Sequence, residues 1–227
     1  KVFPRVNDNI YTIGGTPGGG KLRSTISVAK HFGPNAQSFF AKYSTDGVLK
    51  WVHGFRAGGS ITTGEADAAG NVYLAGTCSS RDWFYFNNGD SIRFIHQLAD
   101  STNFGERTPG FIMKLDPNGK MLWYTLLYDH TTLHSGVPYT QAYATGIDIK
   151  DHHIILKGNF KAKLSYARNG VLQQLYDFSN SVFNDVNPNN FIIRIKDDGS
   201  LVWCAHFENA FTNTYQLTDI AVDKKGN

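Results

Sequence analysis

The chain carries one ungapped pattern in three copies, Phe-x-x-(Lys/Arg)-x-x-x-x-Gly-x-x-x-Trp. It runs from Phe39 through Lys42 and Gly47 to Trp51. It returns from Phe111 through Lys114 and Gly119 to Trp123, and from Phe191 through Arg194 and Gly199 to Trp203. Asp46-Gly47, Asn118-Gly119 and Asp198-Gly199 supply the positive φ angles that tight hairpin turns demand. Each copy therefore reads as strand, turn, strand. A fold that repeats this element must stack similar units rather than fill one irregular core.

A second pattern alternates with the first. Gly70-Asn71-Val72-Tyr73-Leu74-Ala75-Gly76 is its clearest copy, and Asp8-Asn9-Ile10-Tyr11-Thr12-Ile13-Gly14 precedes it. His152-His153-Ile154-Ile155-Leu156-Lys157-Gly158 is a worn third, and Gly226-Asn227 matches the start of a fourth. Taken in phase, the two patterns give four strands per unit. The first strands are Ser60–Ala66, Tyr143–Ile149 and Tyr215–Val222. The second is the Val-Tyr-x-x-Gly segment, the third Phe-x-x-Lys, and the fourth ends at the Trp. Trp-to-Trp spacings of 72 and 80 residues are those of a propeller blade.

Composition agrees with strands. Aromatic residues make up 14% of the chain, with 16 Phe, 11 Tyr and 23 Gly, and no stretch sustains a helical period. The net charge of +3 is too small and scattered for a nucleic-acid footprint. No apolar run is long enough to span a membrane as a helix, and no signal-peptide pattern opens the chain. Cys78 and Cys204 fit neither a metal spacing nor a redox pair. Buried free thiols are expected, a disulfide being the alternative.

What does not repeat is the set of links. Strands two and three are joined by the long segments Gly15–Ser38, Thr77–Gly110 and Asn159–Asn190, and the link around Tyr128–Gln141 is also long. In an up-and-down sheet these links emerge at one end, which makes that end the default binding surface. Two insertions read as small hairpins of their own. Trp83–Phe86 and Ser91–Ile95 flank Asn87-Asn88-Gly89, and Lys163–Tyr166 and Val171–Leu175 flank Arg168-Asn169-Gly170. The first unit is expected to lack such a hairpin and to carry flexible Gly18-Gly19-Gly20 instead.

The run Gly64–Gly76 followed by Gly110–Trp123 resembles the bacterial SBBP-type β-propeller repeat, and Ile220–Asn227 resembles its start. The resemblance covers nearly the whole chain in phase. It departs at His152-His153, which stand where Gly-Asn is expected. It implies a secreted or surface-exposed protein, often large, that serves as an extracellular binding or adhesion scaffold.

Several patterns invite chemistry. Gly15-Thr16-Pro17-Gly18-Gly19-Gly20-Lys21 fits a phosphate-loop spacing, but Leu22 replaces the Ser/Thr that would hold Mg²⁺ and no helix follows. The Asp-x-x-Gly and Asp-Gly turns offer too few carboxylates each for calcium. His130 and His134 have a helical metal spacing in a polar loop. Asp90-Ser91-Ile92 and Asp100-Ser101-Thr102 resemble a short O-glycosylation motif of surface proteins. Trp51, Trp123 and Trp203, with Gly47, Gly119 and Gly199, are expected to be architectural, one large aromatic packed between adjacent blades. The candidate binding surface is the aromatic insertion, through Trp83, Tyr85, Arg93 and His96; the alternative is that its alternating aromatics cover the disc and pack on the next blade.

The expectation is an all-β propeller region spanning residues 1–227. Its blade units lie at about 1–58, 59–137 and 138–210, with the first strand of a next blade at 211–227. It would form part of a larger propeller, completed by more of a longer chain or by neighbouring chains. The expected role is a non-enzymatic scaffold for protein or surface-glycan partners, without cofactor or metal. A lectin-like propeller and a quinoprotein-like propeller enzyme are the alternatives.

Overall fold

The computed structural model describes residues 7–15, 19–24, 27–34, 36–56, 59–78, 83–85, 91–93, 109–129, 142–150, 152–161, 163–169, 171–177, 189–207, 217 and 220–221. Among these, every regular element is a β-strand. In chain order they are β1 (Asn9–Gly15), β2 (Gly19–Ser24), β3 (Ser27–Pro34), β4 (Ala36–Ser44) and β5 (Leu49–Arg56). Then come β6 (Ser60–Ala66), β7 (Val72–Thr77), β8 (Trp83–Tyr85), β9 (Ser91–Arg93), β10 (Gly110–Leu115) and β11 (Met121–Asp129). The last are β12 (Tyr143–Lys150), β13 (His153–Phe160), β14 (Lys163–Arg168), β15 (Val171–Asp177), β16 (Asn189–Lys196) and β17 (Leu201–Phe207).

The strands form open antiparallel sheets. The first is ordered β1-β4-β5-β8-β9, the second β15-β14-β11-β10-β7-β6, and the third β12-β13-β16-β17, with β2-β3 a separate pair. In the second and third sheets, strands one to four of a unit lie side by side in sequence order, as the phased motifs predict. The turn glycines take the expected conformation, with φ of 86° at Gly47, 84° at Gly119 and 81° at Gly199. His152 adopts φ of 67° at the position where Gly70 adopts 84°, so the worn copy keeps the turn without the glycine.

The inserted hairpins do not stand alone. β8 pairs with β5, and β14 pairs with β11. Each hairpin therefore leaves its own unit and widens the sheet of the preceding one. Asp129, buried at the end of β11, accepts from the backbone N–H of Lys161 at 2.5 Å and of Lys163 at 3.0 Å, which fixes where β14 begins. The first unit also carries a hairpin, contrary to the sequence expectation. Gly19 and Gly20 open β2, and β2 pairs with β3. Lys21 thus lies in a strand paired with His31, which removes the phosphate-loop geometry.

The sheets stack face to face. Alternation along β10 sends Phe111, Met113 and Leu115 to one side, where they meet Tyr11, Phe40, Trp51 and Phe55 of the first sheet. Ile112 goes to the other side, with Ile154, Leu156, Phe191 and Ile193 of the third. The centre of the second sheet is buried on both faces, so β10 carries no exposed position. On the far side of the first sheet, Ala41, Leu49 and Val52 pack with Leu22 of the β2–β3 hairpin. Cys78 is fully buried, Cys204 partly so, and neither forms a disulfide.

Candidate functional site

The repeated Lys and Trp face each other across the third and fourth strands of every unit. Lys42 is registered with Trp51, Lys114 with Trp123, and Arg194 with Trp203. A bulge follows each pairing and lets the turn close. From the first sheet, Lys42 Nζ donates to the Pro117 carbonyl at 2.8 Å and Trp51 Nε1 donates to the same oxygen at 3.2 Å. From the second sheet, Trp123 Nε1 donates to the Asp197 carbonyl at 2.9 Å, and Lys114 pairs with the Asp197 carboxylate. Pro117 and Asp197 each lie two residues before the turn glycine. The first and second units therefore each reach forward and hold the tight turn of the next.

The glycine is required twice over at this latch. Its backbone has positive φ, and its open α-carbon is covered by the preceding unit's indole. A Cβ on Gly119 would lie 2.5 Å from His53 Nε2 and 3.1 Å from Trp51 Cδ2, and one on Gly199 would lie 3.0 Å from Trp123.

Electrostatics around the latches follow burial. Desolvation lowers the Lys42 amine, against an opposing pull from Asp116. Burial works against ionisation of Asp197, but hydrogen bonds from Lys114 and Tyr73 outweigh it and hold the carboxyl below its usual range. Tyr73 is itself raised, by burial and then by Asp197. His53 stacks on Trp51 with ring centroids 4.7 Å apart, and burial pushes its imidazole down to about 4. Desolvation also pushes the Cys204 thiol up to about 12.

The acidic turns are occupied by their own backbone. Asp67 Oδ1 accepts from Asn71 N–H at 2.8 Å, and Asp116 Oδ1 accepts from Asn118 N–H at 2.9 Å and Lys120 N–H at 2.8 Å. This is turn chemistry, as their sequence suggests. Among the described residues no group of three or more His, Cys, Asp or Glu is placed to hold a metal ion. His130, His134 and the Asp100–Thr102 motif lie outside the described residues, as does His96.

The structure brings Trp83, Tyr85 and Arg93 onto one hairpin. Trp83 is registered with Arg93, and Tyr85 with Ser91. Their side chains lie outside the described residues. Phe84, between them in sequence, is fully buried against Phe55 at 4.6 Å and His53 at 5.6 Å between ring centroids. The hairpin is therefore anchored through Phe84. The sequence reading singled out neither His53 nor the two acceptor carbonyls. The shared register of Lys and Trp was the available signal for the latch, since both must point to the same neighbour.

Third-unit residues at the latch positions differ. Trp51 is 3% exposed, whereas Trp203 is 39% exposed. Four residues further along the strand, Phe55 and Leu127 are fully buried, but Phe207 is 47% exposed. The sequence reading treats all three tryptophans alike. The third lies on a sheet face that no other described sheet covers.

No family model and no curated protein matches the chain. The SBBP-type resemblance accordingly rests on its motifs. Among solved structures, a crystal structure of rhamnogalacturonan lyase YesW is similar over 86% of this chain, with a TM-score of 0.33 and 15% sequence identity. The similar region is 42% of that chain's length. A likeness this slight assigns neither fold nor activity.

Proposed function

We propose that the chain is a run of propeller blades acting as a non-enzymatic scaffold, on a cell surface or outside the cell, for binding a protein or glycan partner. One observation carries this reading. In the first and second units the repeated residues are consumed in holding the next unit, while the inserted hairpins β8–β9 and β14–β15 are fastened by backbone pairing to the preceding sheet. Repeated residues build a rigid frame, and the variable segments are held on it, which is how binding segments gain affinity through preorganisation. In-phase sheets joined by forward-reaching latches favour blades over a two-sheet sandwich, in which only one face of each sheet is covered.

The test compares wild type with the Trp83→Ala/Tyr85→Ala double variant on arrays of surface glycans and extracellular proteins. Phe84 is left in place, so thermal stability should stay close to wild type while binding falls about tenfold or more. Equal binding by both proteins would remove this hairpin from the site. New reducing ends from an arrayed polysaccharide would instead make the protein an enzyme.

A further inference from the structure

Of the three motif turns, the second alone places Asn before the glycine, where Asp46-Gly47 and Asp198-Gly199 stand in the others. Asn-Gly is the dipeptide most prone to deamidation, because nothing on the glycine hinders attack of its nitrogen on the asparagine amide. Asn118 is exposed to solvent. The other two turns are poorer substrates. Hydrogen bonds from Ser44 and Ser200 hold the carboxyls of Asp46 and Asp198 below their usual range, and a carboxylate resists nucleophilic attack.

In the closed turn the glycine nitrogen is held away from this reaction. Gly119 N–H donates to the Asp116 carbonyl at 2.9 Å, and the Asn118 and Lys120 N–H groups both donate to Asp116 Oδ1. His53 and Trp51 cover the Gly119 α-carbon, at 2.5 Å and 3.1 Å from where a Cβ would stand. Swinging the Gly119 nitrogen toward Asn118 Cγ breaks its bond to Asp116 and drives the backbone into these rings. Attack therefore requires the first latch to open.

That latch is the weaker of the two. In the second, Lys114 and Tyr73 both bond the Asp197 carboxylate, and such charge-assisted bonds are the strong ones. Pro117 stands at the corresponding position in the first, so Lys42 and Trp51 share its carbonyl instead. Tyr11 is registered with Lys42 as Tyr73 is with Lys114, yet its buried hydroxyl has no hydrogen-bond partner among the described residues.

We propose that Asn118 is a modification site gated by the first latch, which turns an opening of that joint into a permanent one. When Trp51 and Lys42 release the turn, the Gly119 nitrogen gives up its proton and attacks Asn118 Cγ. The new C–N bond closes a cyclic succinimide, and the side-chain nitrogen departs as ammonia, taking up that proton. Water then opens either imide carbonyl, yielding aspartate or isoaspartate with no change of oxidation state. Isoaspartate routes the main chain through the former side chain and lengthens the turn by a methylene. The Pro117 carbonyl and the Gly119 α-carbon then no longer meet Trp51 together, and the turn stays out of the latch.

Conversion at Asn118 is followed by peptide mapping and isoaspartyl methyltransferase labelling in mildly alkaline buffer. It should be about tenfold or more slower in folded wild type than in the urea-unfolded chain, because local opening must precede attack. Folded Trp51→Ala should convert about tenfold or more faster than folded wild type. Trp51→Phe keeps an aromatic ring in the core and loses the bond to Pro117, so it should convert about fivefold faster, the worth of one hydrogen bond. It decides the matter if circular dichroism shows that Trp51→Ala does not fold. Asn169, also followed by Gly, is the internal reference and should convert equally in wild type and Trp51→Phe. Wild type captured by its isoaspartate should melt below the unconverted protein. Conversion in folded wild type as fast as in the unfolded chain, equal conversion in wild type and Trp51→Phe, or an isoaspartate form as stable as its parent would each overturn the proposal. None of these touches the scaffold reading, whose test is the binding comparison with Trp83 and Tyr85.

Discussion

His53 should make the protein acid-sensitive in a window of its own. Its ring is 1% exposed, clasped by Trp51 and Phe84, and burial holds its pKa at about 4 against 6.5 for an ordinary histidine. The folded-state value is depressed by burial of a base, so folding favours the neutral ring. The stabilisation is complete above pH 6.5 and is lost as pH falls from there through about 4, because the unfolded chain binds the proton first. At about 1.4 kcal/mol per pH unit, the gap between 6.5 and about 4 is worth about 3 kcal/mol. That is a large part of the stability of an ordinary domain. The measurement is urea unfolding of wild type and His53→Phe at a series of pH values from 7 to 4. Phe keeps the aromatic contacts and removes the proton, so the absolute stability of the variant matters less than its slope. Wild type should lose about 3 kcal/mol more than the variant over this interval. Asp197, whose carboxyl is held below its usual range, contributes in the same direction only as pH falls lower still, and does so in both proteins. Parallel pH profiles for the two proteins would show that His53 is not held neutral by its packing, and would refute the reasoning.

Three other outcomes follow from the latches and turns. Trp51→Ala should cost about 3–5 kcal/mol and Trp203→Ala under about 1 kcal/mol, compared by denaturant midpoint. Asp197→Ala should cost about 3 kcal/mol because it leaves the buried Lys114 ammonium without its carboxylate, whereas Lys114→Met should change stability by about 1 kcal/mol or less; equal losses in both variants would contradict this. His152→Gly should raise stability by about 0.5 kcal/mol, as relief of the left-handed backbone outweighs the added freedom of the unfolded chain, and a lowered midpoint at unchanged slope would count against it.

The strand–turn–strand elements were legible because Asp-Gly and Asn-Gly leave the backbone few other choices, and the φ angles at Gly47, Gly119 and Gly199 agree. The placement of Trp51 and Trp123 between sheets was legible from periodicity, since a bulky aromatic recurring in one register must meet the same neighbour. The destination of the inserted hairpins was not. Backbone pairing to β5 or β11 uses N–H and C=O groups that every residue carries, so no side-chain pattern names the receiving edge. The first unit's hairpin was missed because Gly18-Gly19-Gly20 shows no alternation to read. Trp83-Phe84-Tyr85 reads either as an exposed aromatic surface or as alternating aromatics packed on a blade, and Phe84 takes the second course. His53 gave no signal at all: a histidine in a strand looks polar until two aromatic rings close on it. Trp203 shows the converse limit, because the same residue in the same register is buried or open according to what lies beyond it.

The hairpins that widen a preceding sheet change what counts as a removable piece. Cutting between Arg56 and Ser60 separates one set of tandem motifs from the next, but β8 and β9 lie beyond the cut and belong to the sheet before it. Deleting the second unit would strip the first sheet of two strands and leave β14 and β15 without the strand they extend. Units joined in this way unfold together rather than one at a time, and recombination that respects the stacking must exchange segments at boundaries after the hairpins, not between the tandem motifs.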